Sequence, residues 1–161
     1  HLDPRASTIR FGRPGMRIDL GAAGKGYAID RAIEILRGHG ITSALLHGGT
    51  SSVHALGAPP GAAAWTIAWA PPAAQPQTIE LRDRALSISA AHGKAFTRDG
   101  RMYGHVMDPR TGAPAQTALS ALVTGPGSLE CDVLSTALLV LGPGWLPALY
   151  SQFSDYDGAV C

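Results

Sequence analysis

Twenty glycines and twelve prolines in 161 residues constrain this chain more than any other feature, because both residues interrupt helices and strands. With so many breaks no element can run long, and the fold must be assembled from short strands and short helices. A chain of this length suits one domain and can hide roughly 70% of its unfolded surface without staples. Hydrophobic residues at 45% and charged residues at 16% exclude intrinsic disorder. No apolar run approaches the roughly 18 residues of a membrane span. Thirteen Lys and Arg against twelve Asp and Glu, scattered along the chain, leave a net charge of +1. That balance offers no footprint for nucleic acid or for an acidic membrane face. Cys131 and Cys161 allow one bridge but no disulfide scaffold. There is no internal repeat and no signal peptide, and the chain opens on His1, so an N-terminal part is expected to precede it.

Between the breaks the periodicity assigns elements. Residues 15–20 alternate weakly and predict a short strand, followed by the turn Gly21-Ala22-Ala23-Gly24-Lys25-Gly26. From Tyr27 the period is helical, with Ala28, Ala32, Ile35 and Leu36 on one face and Arg31, Glu34 and Arg37 on the other. Gly38-His39-Gly40 stops that helix. Residues 41–47 and 53–56 predict strands around the turn 48–52. The Pro/Ala-rich stretches 58–64 and 71–76 predict loops, and 65–69, 77–81 and 85–89 predict strands of a meander. Residues 103–107 and 119–124 predict two more strands. After Gly125-Pro126-Gly127, Ser128 is placed to cap a helix with Glu130 and Asp132 in an exposed first turn. Leu134, Leu138 and Leu141 share its apolar face, and Gly142-Pro143-Gly144 ends it. Strands interleaved with two helices predict an α+β fold, a mixed or antiparallel sheet with helices packed on it.

Three places carry candidate chemistry. The turn 21–26 precedes a helix, where free N–H groups and the helix dipole receive anions and Lys25 adds a positive charge. It is not a P-loop, since Asp19 and Gly26 stand where that motif needs Gly and Ser/Thr. Taken alone it is equally a glycine-rich connection with a surface lysine. Asp132 and Thr136, four apart, share a helix face and offer the hard oxygens that suit Mg²⁺. Taken alone they are a dipole-stabilising carboxylate and a surface hydroxyl. His105 precedes Asp108-Pro109-Arg110-Thr111-Gly112, a candidate acid or base beside an arginine able to grip phosphate, or a solvated histidine before a tight turn. His39, His47, His54 and His92 lack zinc spacing, and neither a nucleophilic cysteine nor a nucleophile-elbow serine is indicated.

Read together, these segments form longer signatures. Residues 18–30, Ile-Asp-Leu-Gly-Ala-Ala-Gly-Lys-Gly-Tyr-Ala-Ile-Asp, resemble the DLG-x-x-x-KGYA-x-D signature of the ApbE-like flavin transferases. His105-Val106-Met107-Asp108-Pro109-Arg110-Thr111-Gly112-Ala113-Pro114 is similar to that family's H-x-x-DPRTG-x-P motif. Asp132-Val133-Leu134-Ser135-Thr136-Ala137-Leu138 with Leu141-Gly142 resembles its D-x-x-x-TA-x-x-x-x-G ending. The resemblance runs from Thr8 to Gly144.

It implies an ApbE-like, T-fold-related domain over 1–161 whose N-terminal part is missing, since members are much longer. It implies a Mg²⁺-dependent FAD:protein FMN transferase, with FAD as donor, AMP released, and a Thr or Ser of a partner flavoprotein as acceptor. The alternatives are an FAD pyrophosphatase yielding FMN and AMP, and a non-catalytic flavin-binding remnant. On the matching positions the metal falls to Asp132, Thr136 and the carbonyl of Ala22, with Ser135 as neighbour. Asp19, Lys25 and Val106 touch the nucleotide, and His105 stands at the reacting phosphate. A bacterial protein is implied, cytoplasmic, exported or membrane-anchored. Gly48-Gly49-Thr50 stands where the family commonly has Gly-Gly-Asp.

Overall fold

The computed structural model describes residues 1–71, 75–91 and 95–161; His92 and part of the expected 71–76 loop lie outside them. Five short strands form the central sheet: β1 (Ala44–His47), β2 (Ser52–Leu56), β3 (Arg84–Ala90), β4 (Ser120–Gly125) and β5 (Asp157–Val160). They lie in the order β5-β4-β3-β2-β1 with every pair antiparallel. Three helices accompany it, α1 (Gly24–Gly38), α2 (Ser128–Leu141) and α3 (Leu146–Gln152). The α+β expectation holds, and the described sheets are antiparallel throughout.

Side-chain alternation along the strands divides the core in two. On the helical face Ala85, Ala121 and Val123 pack against Cys131, Leu134, Leu138 and Leu139 of α2 and Leu149 of α3. On the other face Ala55, Leu86 and Leu122 meet Trp69 and Leu81, which belong to a separate ribbon of Trp65–Trp69 paired with Gln77–Leu81. Residues 85–89 are therefore not a third strand of that ribbon, as the meander expectation had it. They lie in β3, between β2 and β4.

Several other expectations are corrected. Residues 15–20 form no strand: the segment has no strand partner, and Met16, Ile18 and Leu20 are exposed. The expected strand 103–107 is divided between two ribbons, Arg101–Gly104 and Met107–Asp108, with the 105–106 step between them. Helix α1 starts three residues before Tyr27, and its buried positions are Gly26, Ile29 and Ile33. Leu36 packs partly against them, whereas Ala28 and Ile35 face outward. The face is rotated because its first contact is made by a glycine, which a count of apolar side chains cannot register. Helix α2 is capped at Gly127 and not at Ser128, and no side chain of its own closes the cap. Cys131 is buried in α2 while Cys161 is exposed; both are free, so the one possible bridge is not made.

Candidate active site

Gly26 lets two helices meet backbone to backbone. A methyl group there would run into the Ser128 carbonyl and stand 2.7 Å from the Leu129 Cα. The contact brings the start of α1 against the first turns of α2, where Asp132 points back. Its carboxylate is 3% exposed as a side chain, which corrects the expectation of an exposed first turn. Lys25 Nζ lies 3.0 Å from Asp132 Oδ1 and donates to Oδ2 at 3.1 Å. The Gly26 N–H donates to Oδ2 at 3.1 Å. From the sheet, the hydroxyls of Ser52 and Ser87 donate to Oδ1 at 3.0 and 2.9 Å. A buried carboxylate needs such partners to stay charged. Here the anion that the start of α1 receives is a side chain of the protein itself, and Lys25 pairs with it.

The register of the sheet supplies the serines. Ser52 and Ser87 are directly opposed across β2 and β3, their hydroxyls 3.2 Å apart. Ser89, two residues on, meets Ser135 at 2.9 Å and Thr136 at 3.0 Å. Ser135 and Thr136 both donate to the main-chain carbonyl of Asp132. A seam of hydroxyls thus runs from the carboxylate along α2. Sequence reasoning missed Ser52, Ser87 and Ser89. Their signal was present as polar residues at alternate positions in apolar strands, a pattern ordinarily read as a solvated face. Here that face is covered by helices.

The chemistry of the donor set fits a hard divalent cation. Gly26 gives its N–H to Asp132 and not to Ala22, its partner in a regular helix, and no described hydrogen bond reaches the Ala22 carbonyl. Carboxylate, hydroxyl and carbonyl oxygens are what Mg²⁺ accepts, few being needed when phosphates supply the rest. Among the described residues no cluster of three His, Cys, Asp or Glu forms, so nothing there favours zinc. A cation held at Asp132 would compete with the Lys25 ammonium for that carboxylate. Beside this point an apolar hollow of about 300 Å³ is lined by Leu20, Ala23, Gly24, Tyr27 and Leu129.

The other expected residues lie elsewhere. Asp19 is exposed, and its carboxylate accepts the Gly21 N–H at 2.6 Å, bracing the turn. Val106 is half-buried against the α2 core, its carbonyl accepting the Ala115 N–H at 2.8 Å. His105 is exposed on the step between the ribbons. Arg110, expected as a phosphate grip, is spent within its own turn. Its Nε and Nη2 meet Asp108 at 2.9 and 2.7 Å, and Nη2 also reaches the Val140 carbonyl. The hydrogen bonds from Arg110 hold the Asp108 carboxyl below the usual range. Thr50 is exposed in the turn between β1 and β2.

His54 is also buried here. Its Nδ1 lies 2.8 Å from Ser128 Oγ and 3.7 Å from Asp30 Oδ1, while Nε2 has no partner among the described residues. Serine and aspartate meet the same ring nitrogen, so this trio cannot relay a proton as a nucleophilic triad does. Burial lowers the His54 pKa, more than the Asp30 charge raises it. Burial likewise pushes the Cys131 thiol up, leaving it protonated and inert.

The model of the ApbE family matches residues 1–158. The FAD:protein FMN transferases of Treponema pallidum and Klebsiella pneumoniae are each 34% identical to this chain. The matches cover 93% and 97% of it and 45% and 49% of those proteins. The crystal structure of the ApbE protein from Thermotoga maritima superposes with a TM-score of 0.85 at 28% identity, covering 99% of this chain and 53% of that one. The chain thus spans about half the length of the curated relatives it matches. With that family model matched over almost its whole length, the chain belongs to the ApbE family.

Proposed function

We propose that this chain carries the catalytic half of an FAD:protein FMN transferase. The observation that supports this most is the buried Asp132 carboxylate, held between the start of α1 and a seam of hydroxyls and paired with Lys25. The relatives bearing that enzyme name add to it.

The substrates are FAD and a flavoprotein presenting a Thr or Ser hydroxyl. That oxygen bonds to the FMN phosphorus, the P–O–P bridge breaks, and AMP departs. Asp132, Thr136 and the Ala22 carbonyl, with Ser135 adjoining, would hold Mg²⁺. When bound, the ion neutralises charge on the pyrophosphate oxygens. Released from Asp132, the Lys25 ammonium is close enough to the same anchor to pair with a phosphate, which the start of α1 also attracts. Asp19 and Val106 contact the nucleotide, and the apolar hollow offers a surface to a ring of the substrate. His105, on its exposed step, accepts the hydroxyl proton.

Incubation with FAD and Mg²⁺, with and without an acceptor flavoprotein, tests the reading. Flavin fluorescence retained on the denatured acceptor is the expected result. Free FMN alone, with or without acceptor, would instead identify a pyrophosphatase. FAD binding without turnover would identify a flavin-binding remnant.

A further inference from the structure

Asp30 places both carboxylate oxygens on the backbone of another helix. Oδ1 accepts the Ser128 N–H and Oδ2 the Leu129 N–H, each at 2.8 Å. These are the first N–H groups of α2, which have no acceptor within their own helix. The cap residue Gly127 has no side chain to offer them, so α2 is capped from α1.

One turn earlier in α1, Gly26 touches the same turn of α2 and gives its N–H to Asp132. Lys25 and Gly26 hold the Asp132 carboxylate while Asp30 holds the start of the helix bearing it. The two contacts lie one turn apart on both helices and close a ring through them. Neither helix can slide or turn without breaking one. His54 buttresses the ring through Ser128 Oγ at 2.8 Å. With each Asp30 oxygen occupied by a backbone donor, the residue acts through Asp132.

We propose that Asp30 is a positioning residue: by capping α2 from α1 it fixes where the Asp132 carboxylate lies, and so sets the affinity of the cation site. This rests on the metal reading given above. Partners that orient a ligating group typically alter metal affinity by roughly 10- to 100-fold when lost. Coupling of this kind is reciprocal, so a cation at Asp132 must also strengthen the cap.

The test uses Mn²⁺ as probe, its binding followed by electron paramagnetic resonance, on wild type, Asp30→Asn and Asp83→Asn. Asparagine nearly preserves the volume of Asp30 but turns an N–H₂ toward one of the two backbone donors. Asp83 likewise accepts a backbone N–H, from Gly57 at 2.9 Å, and controls for losing such a bond away from Asp132. Asp30→Asn should weaken Mn²⁺ binding about 10-fold or more, and Asp83→Asn should leave it unchanged. In the wild type, Mg²⁺ should slow hydrogen exchange at the Ser128 and Leu129 amides. A folded Asp30→Asn that binds Mn²⁺ with wild-type affinity overturns the proposal. Should Asp30→Asn fail to fold, amides of Ser128 and Leu129 that ignore Mg²⁺ in the wild type overturn it equally. A wild type that binds no Mn²⁺ overturns the metal reading itself, and this proposal with it.

Discussion

Lys25 already pairs with the Asp132 carboxylate, so under the proposed function a cation held there would compete with the lysine for it. A charge-assisted hydrogen bond to a phosphate is worth roughly 1.5–3 kcal/mol, about ten- to a hundredfold in affinity. Lys25→Ala should weaken FAD binding by that factor at fixed Mg²⁺ and ionic strength, measured by titration calorimetry. In nucleotide-free protein the same variant should bind Mn²⁺ more tightly, because the competing ammonium is gone. Equal FAD affinity in both proteins removes Lys25 from the site. Asp132, Thr136 and Lys25 stood out in the sequence as candidates because each carries a charge or hydroxyl inside a long motif. The partners of Asp132 did not. Nothing in the linear order brings Ser52 and Ser87 to a residue beyond 130; only antiparallel register and the α1–α2 contact do so. Its burial was hidden for the same reason, since a carboxylate near a helix start reads as solvated until the covering helix is known.

At the level of elements, Gly26 decides how α1 lies on α2. Alanine is the better helix former by about 1 kcal/mol, so propensity alone predicts that Gly26→Ala stabilises the protein. The Ser128 carbonyl stands where the new methyl would go, and overpacking of this kind costs about 1–3 kcal/mol. Urea denaturation should therefore show Gly26→Ala destabilised; a stabilised variant would refute the close approach. His54 gives the same joint a pH dependence. Burial holds its pKa below the ordinary 6.5, so on acidification the unfolded chain takes up that proton before the folded one. The contribution is whole above about pH 6.5 and is lost as the pH falls below it. The melting temperature of the wild type should decline from about pH 6.5 toward 5, and His54→Gln should flatten that decline. An unchanged slope would exclude His54 as its source. Strand positions in the sheet were legible from alternation and from their Gly and Pro boundaries. The pairing of 85–89 was not, because alternation marks a strand without naming its neighbour. The face of α1 was misread because glycine takes a core position there.

As a whole molecule, the chain presents one helical face of its sheet sealed by α1, α2 and α3 and one face covered by the paired strands Trp65–Trp69 and Gln77–Leu81. Of the proposed residues, Lys25, Asp132 and Thr136 gather where α1 and α2 meet that sheet, while Asp19, Val106 and His105 stand on segments of their own. The family motifs made this much legible in the amino-acid order alone, because all three lie on segments that converge on the α2 core: the start of α1, the 105–114 step and α2 itself. In the proposed function the Asp132 carboxylate is the centre of the transfer site. The most direct measurement compares wild type with Asp132→Asn, which keeps the buried side chain's volume while removing its charge. Each is incubated with FAD, Mg²⁺ and an acceptor flavoprotein, and flavin attached to the denatured acceptor is read by mass spectrometry. Flavinylated acceptor with the wild type and none with a folded Asp132→Asn is the predicted result. Flavinylation by Asp132→Asn at the wild-type rate, with the same Mg²⁺ dependence, would contradict it.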